Sequence, residues 1–236
     1  MNIAGLQKCS LVDYPGKVAA VVFTPGCNMN CHYCHNAGIL GHYDCEEAVS
    51  EDDVISFLAR RSRLLDGLVI SGGEPTLQTG LVPFIRRVRE LGLLVKLDTN
   101  GTRPSTLTRL VSEKLVDFIA MDLKAPMERY TEICQTSVDV DAVSRSIRIL
   151  LSSDVENEFR TTFSPLLTEL DVLAMVNLIP GAQRLVLQQY RLPDQGGRRA
   201  DPVALAGRTS HPSKYVRNVA RKVQTMAIPC QTRGLQ

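Results

Sequence analysis

KVAAVVFT (17–24) runs without a break into PGCNMNCHYCHN (25–36). The first half is β-branched, apolar and bounded by turn residues, which reads as a buried strand. The second half places Cys27, Cys31 and Cys34 within eight consecutive positions. A buried strand that empties into a sulfur-rich loop is the pattern repeated, with other chemistry, along the rest of the chain.

Moving outward, GLVIS (67–71) is a second strand and opens into Gly72-Gly73-Glu74-Pro75. LLVKLDT (93–99) leads into Asp98-Thr99-Asn100-Gly101, and VDFIAMDLK (116–124) ends on Asp122 and Lys124. NEFRTTFS (157–164) and QRLVLQQY (183–190) are the last two strands expected. Helices separate them. SEDDVISFLARRSRLL (50–65) begins with a Ser50/Asp53 capping pair and sets Val54, Phe57, Leu58 and Leu65 on one face. Leu81, Ile85, Val88 and Leu91 form a stripe ended by Gly92, and further helices are expected over 105–114, 139–152, 168–178 and 212–226.

Six strands alternating with helices imply parallel pairing through right-handed crossovers. A closed eight-stranded barrel typically takes about 250 residues, and this chain has 236 with a loop-rich end. The expectation is an α/β fold: an incomplete (βα)6 barrel of parallel strands over 1–192, with PDQGGRRADP (193–202) as a linker to a basic helical extension over 193–236. In such barrels the C-terminal strand ends build the site, so four motifs far apart in sequence should meet on one rim.

Bulk properties exclude several classes. A formal charge of +2 gives no reason to expect nucleic-acid or membrane binding. No apolar run approaches the roughly 20 residues that span a bilayer, and a signal-peptide layout is lacking, so a cytoplasmic protein is expected. Residues 202–236 hold six Lys or Arg and no acid, which reads either as a solvated basic helix or as a docking surface for an acidic partner. Seven cysteines, three of them clustered, do not form a secreted disulfide framework. Cys9, Cys45, Cys134 and Cys230 are scattered and read as ordinary thiols.

Short spacers fold three sulfurs toward one centre, and two metals compete for it. Zinc would need a fourth ligand, with His32, His35 or His42 available. A [4Fe–4S] cluster normally has four thiolates, so three would leave one iron open. The Gly72-Gly73 pair allows close approach to backbone, and Glu74 could accept from an amino group. Taken singly, GGEP and DTNG read as plain turns, and Lys124 as a surface lysine or a carboxylate partner.

Taken together, the motifs resemble those of the radical S-adenosylmethionine (SAM) enzymes, whose Cys-x3-Cys-x-aromatic-Cys signature is matched by Cys27, Cys31, Tyr33 and Cys34. The family resemblance covers about 3–190, and within the family the likeness is to the glycyl-radical-enzyme activating proteins. GLQKCSLVDYPGKVAAVVFTPGCNMNCHYCHN, with SLVDYPG before the strand and CHN after the third cysteine, looks like the anaerobic ribonucleoside-triphosphate reductase activating proteins.

The resemblance implies a [4Fe–4S] cluster on the three cysteines, whose open iron chelates the methionine end of SAM. Reductive cleavage of SAM then yields a 5′-deoxyadenosyl radical. It implies that Gly72, Gly73 and Glu74 hold the amino group, that Asp98, Thr99 and Asp122 hold a monovalent cation beside the carboxylate, and that Lys124 helps bind SAM. Tyr33, Asn36, Asn100 and Arg160 are further cofactor contacts on the same reading. The implied partners are a large glycyl-radical enzyme and a flavodoxin- or ferredoxin-type electron donor.

Relatives carry a His after the last strand, where this chain reads Gln189-Tyr190-Arg191, so no role is transferred there. A small-molecule radical enzyme, such as a tailoring or deazapurine-type synthase, a pyruvate formate-lyase-type activase and a non-catalytic zinc module remain as alternatives.

Overall fold

The computed structural model describes residues 1–40, 49–191 and 209–235. His42, Cys45 and the expected linker at 193–202 lie outside the described residues.

All six expected strands are present: β2 (Ala19–Thr24), β3 (Gly67–Gly72), β4 (Leu94–Thr99), β5 (Phe118–Asp122), β6 (Glu156–Phe163) and β7 (Leu185–Gln189). Two more extend the sheet. β1 (Gly5–Ser10) pairs antiparallel with β2, and β8 (Cys230–Arg233) pairs parallel with β7. Neither has the apolar run of a central strand. β1 is largely exposed and β8 is four residues long, so periodicity does not reveal them.

The strands lie in chain order from β1 to β8, and β2 to β8 are parallel. The described sheet has no pairing between β8 and β1, so it is an open partial barrel of eight strands rather than six.

The helices pack on its outer face: α1 (Glu51–Arg61), α2 (Leu81–Glu90), α3 (Pro104–Ser112), α5 (Val140–Leu151), α6 (Glu169–Val176) and α7 (Ser213–Thr225), with a short α4 (Tyr130–Cys134). Their sequences explain their ends. Ser50 caps α1 by accepting from the Asp53 N–H, and Gly92 stops the chain after α2 with φ +75°. α2 buries Leu81, Val82, Phe84, Ile85 and Val88 against the sheet. Each such side chain contributes about 1.5–3 kcal/mol.

Inside the open barrel the packing changes character. Tyr14, Ala19, Val21, Val69, Phe118 and Ala120 fill the lower part. Above them the inward positions turn polar. The register places Val69 beside Lys96, Ala120 beside Glu158 and Asp122 beside Arg160. An apolar floor thus supports a charged layer at the C-terminal strand ends.

Candidate active site

That charged layer is the base of a cavity of about 350 Å³. Every residue that the resemblance marks as a cluster or cofactor contact lines it: Cys27, Cys31, Tyr33, Cys34 and Asn36 from the loop after β2; Gly72, Gly73 and Glu74 at and after the end of β3; Asp98, Thr99 and Asn100 at the end of β4; Asp122 and Lys124 at the end of β5; and Arg160 from β6. Their convergence follows from the parallel register, which brings the strand ends to one rim.

The cysteine loop is held by its neighbours. Asn30 N–H donates to the Cys134 carbonyl at 2.9 Å, and Glu74 N–H to the Gly26 carbonyl at 2.8 Å. Asn36 Nδ2 donates to the Gly72 carbonyl at 2.8 Å. A Cβ on Gly73 would stand 1.9 Å from the Gly26 oxygen, and Gly72, at φ +120°, would set one 2.3 Å from the Thr24 nitrogen. The two glycines are therefore required by the chain's own backbone, where the sequence suggested room for a ligand.

Glu74 is fully buried, and its carboxylate is already engaged. Oε1 accepts from Thr76 N–H at 3.1 Å, Thr76 Oγ1 at 2.5 Å and Thr99 Oγ1 at 2.7 Å. Oε2 accepts from Asn100 N–H at 2.6 Å. Burial raises its pKa above the ordinary carboxylate value, opposed by these donors. These bonds also make Glu74 a clamp joining the GGEP turn to the DTNG turn.

Arg160 spans the two aspartates. Its Nε lies 2.9 Å from Asp122 Oδ1 and its Nη1 3.2 Å from Asp98 Oδ2. Lys124 Nζ approaches Asp122 Oδ2 at 2.9 Å, and Lys96 pairs with Asp98, which also accepts from Ser71 Oγ at 3.0 Å. Burial alone would raise both carboxyl pKa values, but Arg160 with Lys124 and Lys96 holds them below the usual range. Burial likewise opposes charge on Lys124, and the Asp122 carboxylate outweighs it. The sequence expected a monovalent cation among Asp98, Thr99 and Asp122. In the structure the Arg160 guanidinium also bridges the two carboxylates.

The thiols are not alike. Burial pushes Cys27 up to about 11 and raises Cys34, whereas interaction with the neighbouring Cys134 side chain lowers Cys31. Cys134, at the end of α4, thus packs against a cluster-loop sulfur. Sequence reasoning missed it because it lies 100 residues beyond the loop's other members. Ser71, Thr162 and Gln188 also line the cavity, with no motif to mark them.

The two described histidines that could complete a zinc site both have Nε2 engaged. His32 Nε2 is bonded to the Glu132 carbonyl at 2.9 Å and His35 Nε2 to the Arg191 carbonyl at 3.1 Å. Among the described residues no three His, Cys, Asp or Glu side chains converge on a single ion. Three thiols spread around a cavity suit a wider inorganic core than one zinc ion. The buried Tyr33 hydroxyl beside them has no hydrogen-bond partner among the described residues, so polar ligand atoms fit there too.

Known proteins agree with this geometry. The radical SAM superfamily model matches residues 21–179. A Methanocaldococcus jannaschii protein described as a glycyl-radical enzyme activating enzyme is 34% identical over 199 residues, 81% of either chain. The pyruvate formate-lyase 1-activating enzyme of Escherichia coli K12 is 31% identical over 129 residues, 52% of either chain. Among solved structures, Streptococcus suis SuiB superposes with a TM-score of 0.70 at 15% identity, covering 91% of this chain and 48% of SuiB. The chain thus matches about half the length of the last two proteins. With the superfamily model spanning residues 21–179 and the archaeal relative matched over four-fifths of the chain, the chain belongs to the radical SAM superfamily, enzymes that work with a [4Fe–4S] cluster and S-adenosylmethionine.

Proposed function

We propose that the chain activates a glycyl-radical enzyme, and that this partner is an anaerobic ribonucleoside-triphosphate reductase. The observation carrying the reading is the 34% identity, along four-fifths of both chains, to a protein described as an activating enzyme. The open barrel supports it, because β1 and β8 have no further strand partner among the described residues, leaving a side through which a partner's loop could reach the cavity. The SLVDYPG and CHN segments favour the reductase as partner.

Loaded with its cluster, the site supplies one-electron cleavage of SAM and so a radical able to take hydrogen from a glycine Cα. The chain's own residues bind and orient. Cys27, Cys31 and Cys34 hold the cluster. Lys124 and Arg160, at the cavity base, receive the methionine carboxylate as a charge-assisted pair. Backbone groups of Gly72 and Gly73 meet the amino group, while Glu74 fixes the turn that presents them. Asn36 holds the Gly72 carbonyl in place, and the Tyr33 ring closes the cavity beside the cysteines. The burial of these groups excludes water from the reacting centre.

The test is anaerobic incubation of the reconstituted, reduced protein with SAM and the reductase, read by electron paramagnetic resonance. A glycyl-radical doublet on the reductase is expected. Rapid 5′-deoxyadenosine formation with a nucleotide or peptide as hydrogen donor, and no protein radical, would point instead to a small-molecule or tailoring enzyme.

A further inference from the structure

A second hollow, of about 730 Å³, lies between the start of α3 and the outer side of α5. We propose that it is the docking surface for an acidic one-electron carrier protein that reduces the site, an inference resting on the cluster-bearing reading above. Each reductive cleavage consumes one electron from outside. The carrier, a flavin or iron–sulfur protein, is oxidised by one electron and the oxidised site is reduced by the same electron, so neither protons nor leaving groups need a path.

The hollow's charge fits such a partner. Arg103, Arg145 and Arg148 line it and are all exposed. Its one carboxylate, Asp139, is already engaged: Oδ1 accepts from Ala142 N–H at 2.9 Å as the α5 cap, and Oδ2 lies 3.6 Å from Arg145. Asp141 is exposed on the same helix but does not line the hollow. α3 opens here at Pro104 with no side-chain cap, adding the partial positive charge of a helix start. Acidic carriers are steered onto such surfaces by long-range attraction.

The hollow is also wired to the cysteines. Thr102, on its rim, accepts from Asn28 Nδ2 at 2.9 Å and donates to Asn100 Oδ1 at 2.7 Å. Asn100 Nδ2 in turn donates to Asn28 Oδ1 at 2.9 Å and lies 3.8 Å from Cys27 Sγ. Three side chains thus form a continuous hydrogen-bonded bridge from an exposed basic surface to a cluster-loop sulfur. The basic α7 packs against β6, α6, β7 and β8, none of which carries one of the three cysteines among the described residues.

The experiment uses the full reconstituted chain carrying R103E, R145E and R148E together. An acidic flavodoxin, reduced to its hydroquinone, is the probe, and bleaching of the cluster's visible absorption gives the rate. Carrier-driven reduction is expected to fall at least about tenfold and to lose its dependence on ionic strength, while dithionite-driven reduction and SAM cleavage stay at wild-type rates. A K214E/R217E control on α7 should change neither rate. Unaltered carrier-driven reduction in the triple variant, or a loss confined to the α7 control, overturns the assignment. A wild-type protein that dithionite cannot reduce overturns the cluster reading and this proposal with it.

Discussion

At the scale of single residues, two buried charges organise the cavity without any sequence signal of how. Glu74 accepts four hydrogen bonds, so Glu74→Gln puts an amide N–H₂ where only donors face it. An unsatisfied buried donor costs about 1–3 kcal/mol, and the expected result is a lower melting temperature together with weakened SAM binding by isothermal calorimetry. Full stability in that variant would remove the clamp role. Arg160→Leu leaves Asp98 and Asp122 facing each other without their shared cation, and breaking a buried pair costs about 3–5 kcal/mol. The sign with pH follows from depressed carboxyl pKa values. Their stabilisation is complete above the unfolded aspartate value of about 3.9, and is lost as pH falls further toward the folded values. Acid unfolding should therefore begin at a higher pH in Arg160→Leu than in the wild type, as followed by circular dichroism. The motifs identified which residues gather at the cavity. Partner choice was not legible, because hydrogen bonds between DTNG and GGEP depend on a register that only the folded sheet sets.

At the scale of elements, the alternation of buried strands and amphipathic helices was readable because β2 to β7 are apolar runs and the helices carry clear stripes and caps. What escaped was short or exposed: β1, β8 and the five-residue α4. α4 matters most, since it brings Cys134 to Cys31 and its carbonyl to the Asn30 N–H. The contact between the cysteine loop and the GGEP turn makes a sharp prediction. Gly73→Ala drives a methyl into the Gly26 carbonyl, a backbone atom that cannot rotate away. The two loops must separate, so iron retained after anaerobic reconstitution should fall several-fold while far-ultraviolet circular dichroism changes little. Wild-type iron content in Gly73→Ala would show the contact to be dispensable.

At the scale of the whole molecule, the acid-free C-terminal segment completes the sheet. α7 buries Val216, Val219, Ala220 and Val223, β8 covers the β7 edge, and Arg233 reaches Glu158 at 3.5 Å. At about 1.5–3 kcal/mol for each large side chain, ending the chain at 208 removes stabilisation comparable with a domain's typical total of about 5–15 kcal/mol. The truncated protein is expected to aggregate on size-exclusion chromatography. A soluble, cooperatively melting product would mean that the segment is an independent appendage. The largest claim is that an open partial barrel gathers three thiols into one redox site that meets SAM. It is tested most directly by electron paramagnetic resonance of the anaerobically reconstituted, dithionite-reduced protein, recorded before and after SAM is added. A reduced [4Fe–4S] signal that shifts on addition, with 5′-deoxyadenosine accumulating, is the predicted result; a colourless protein holding stoichiometric zinc, silent before and after, would contradict it.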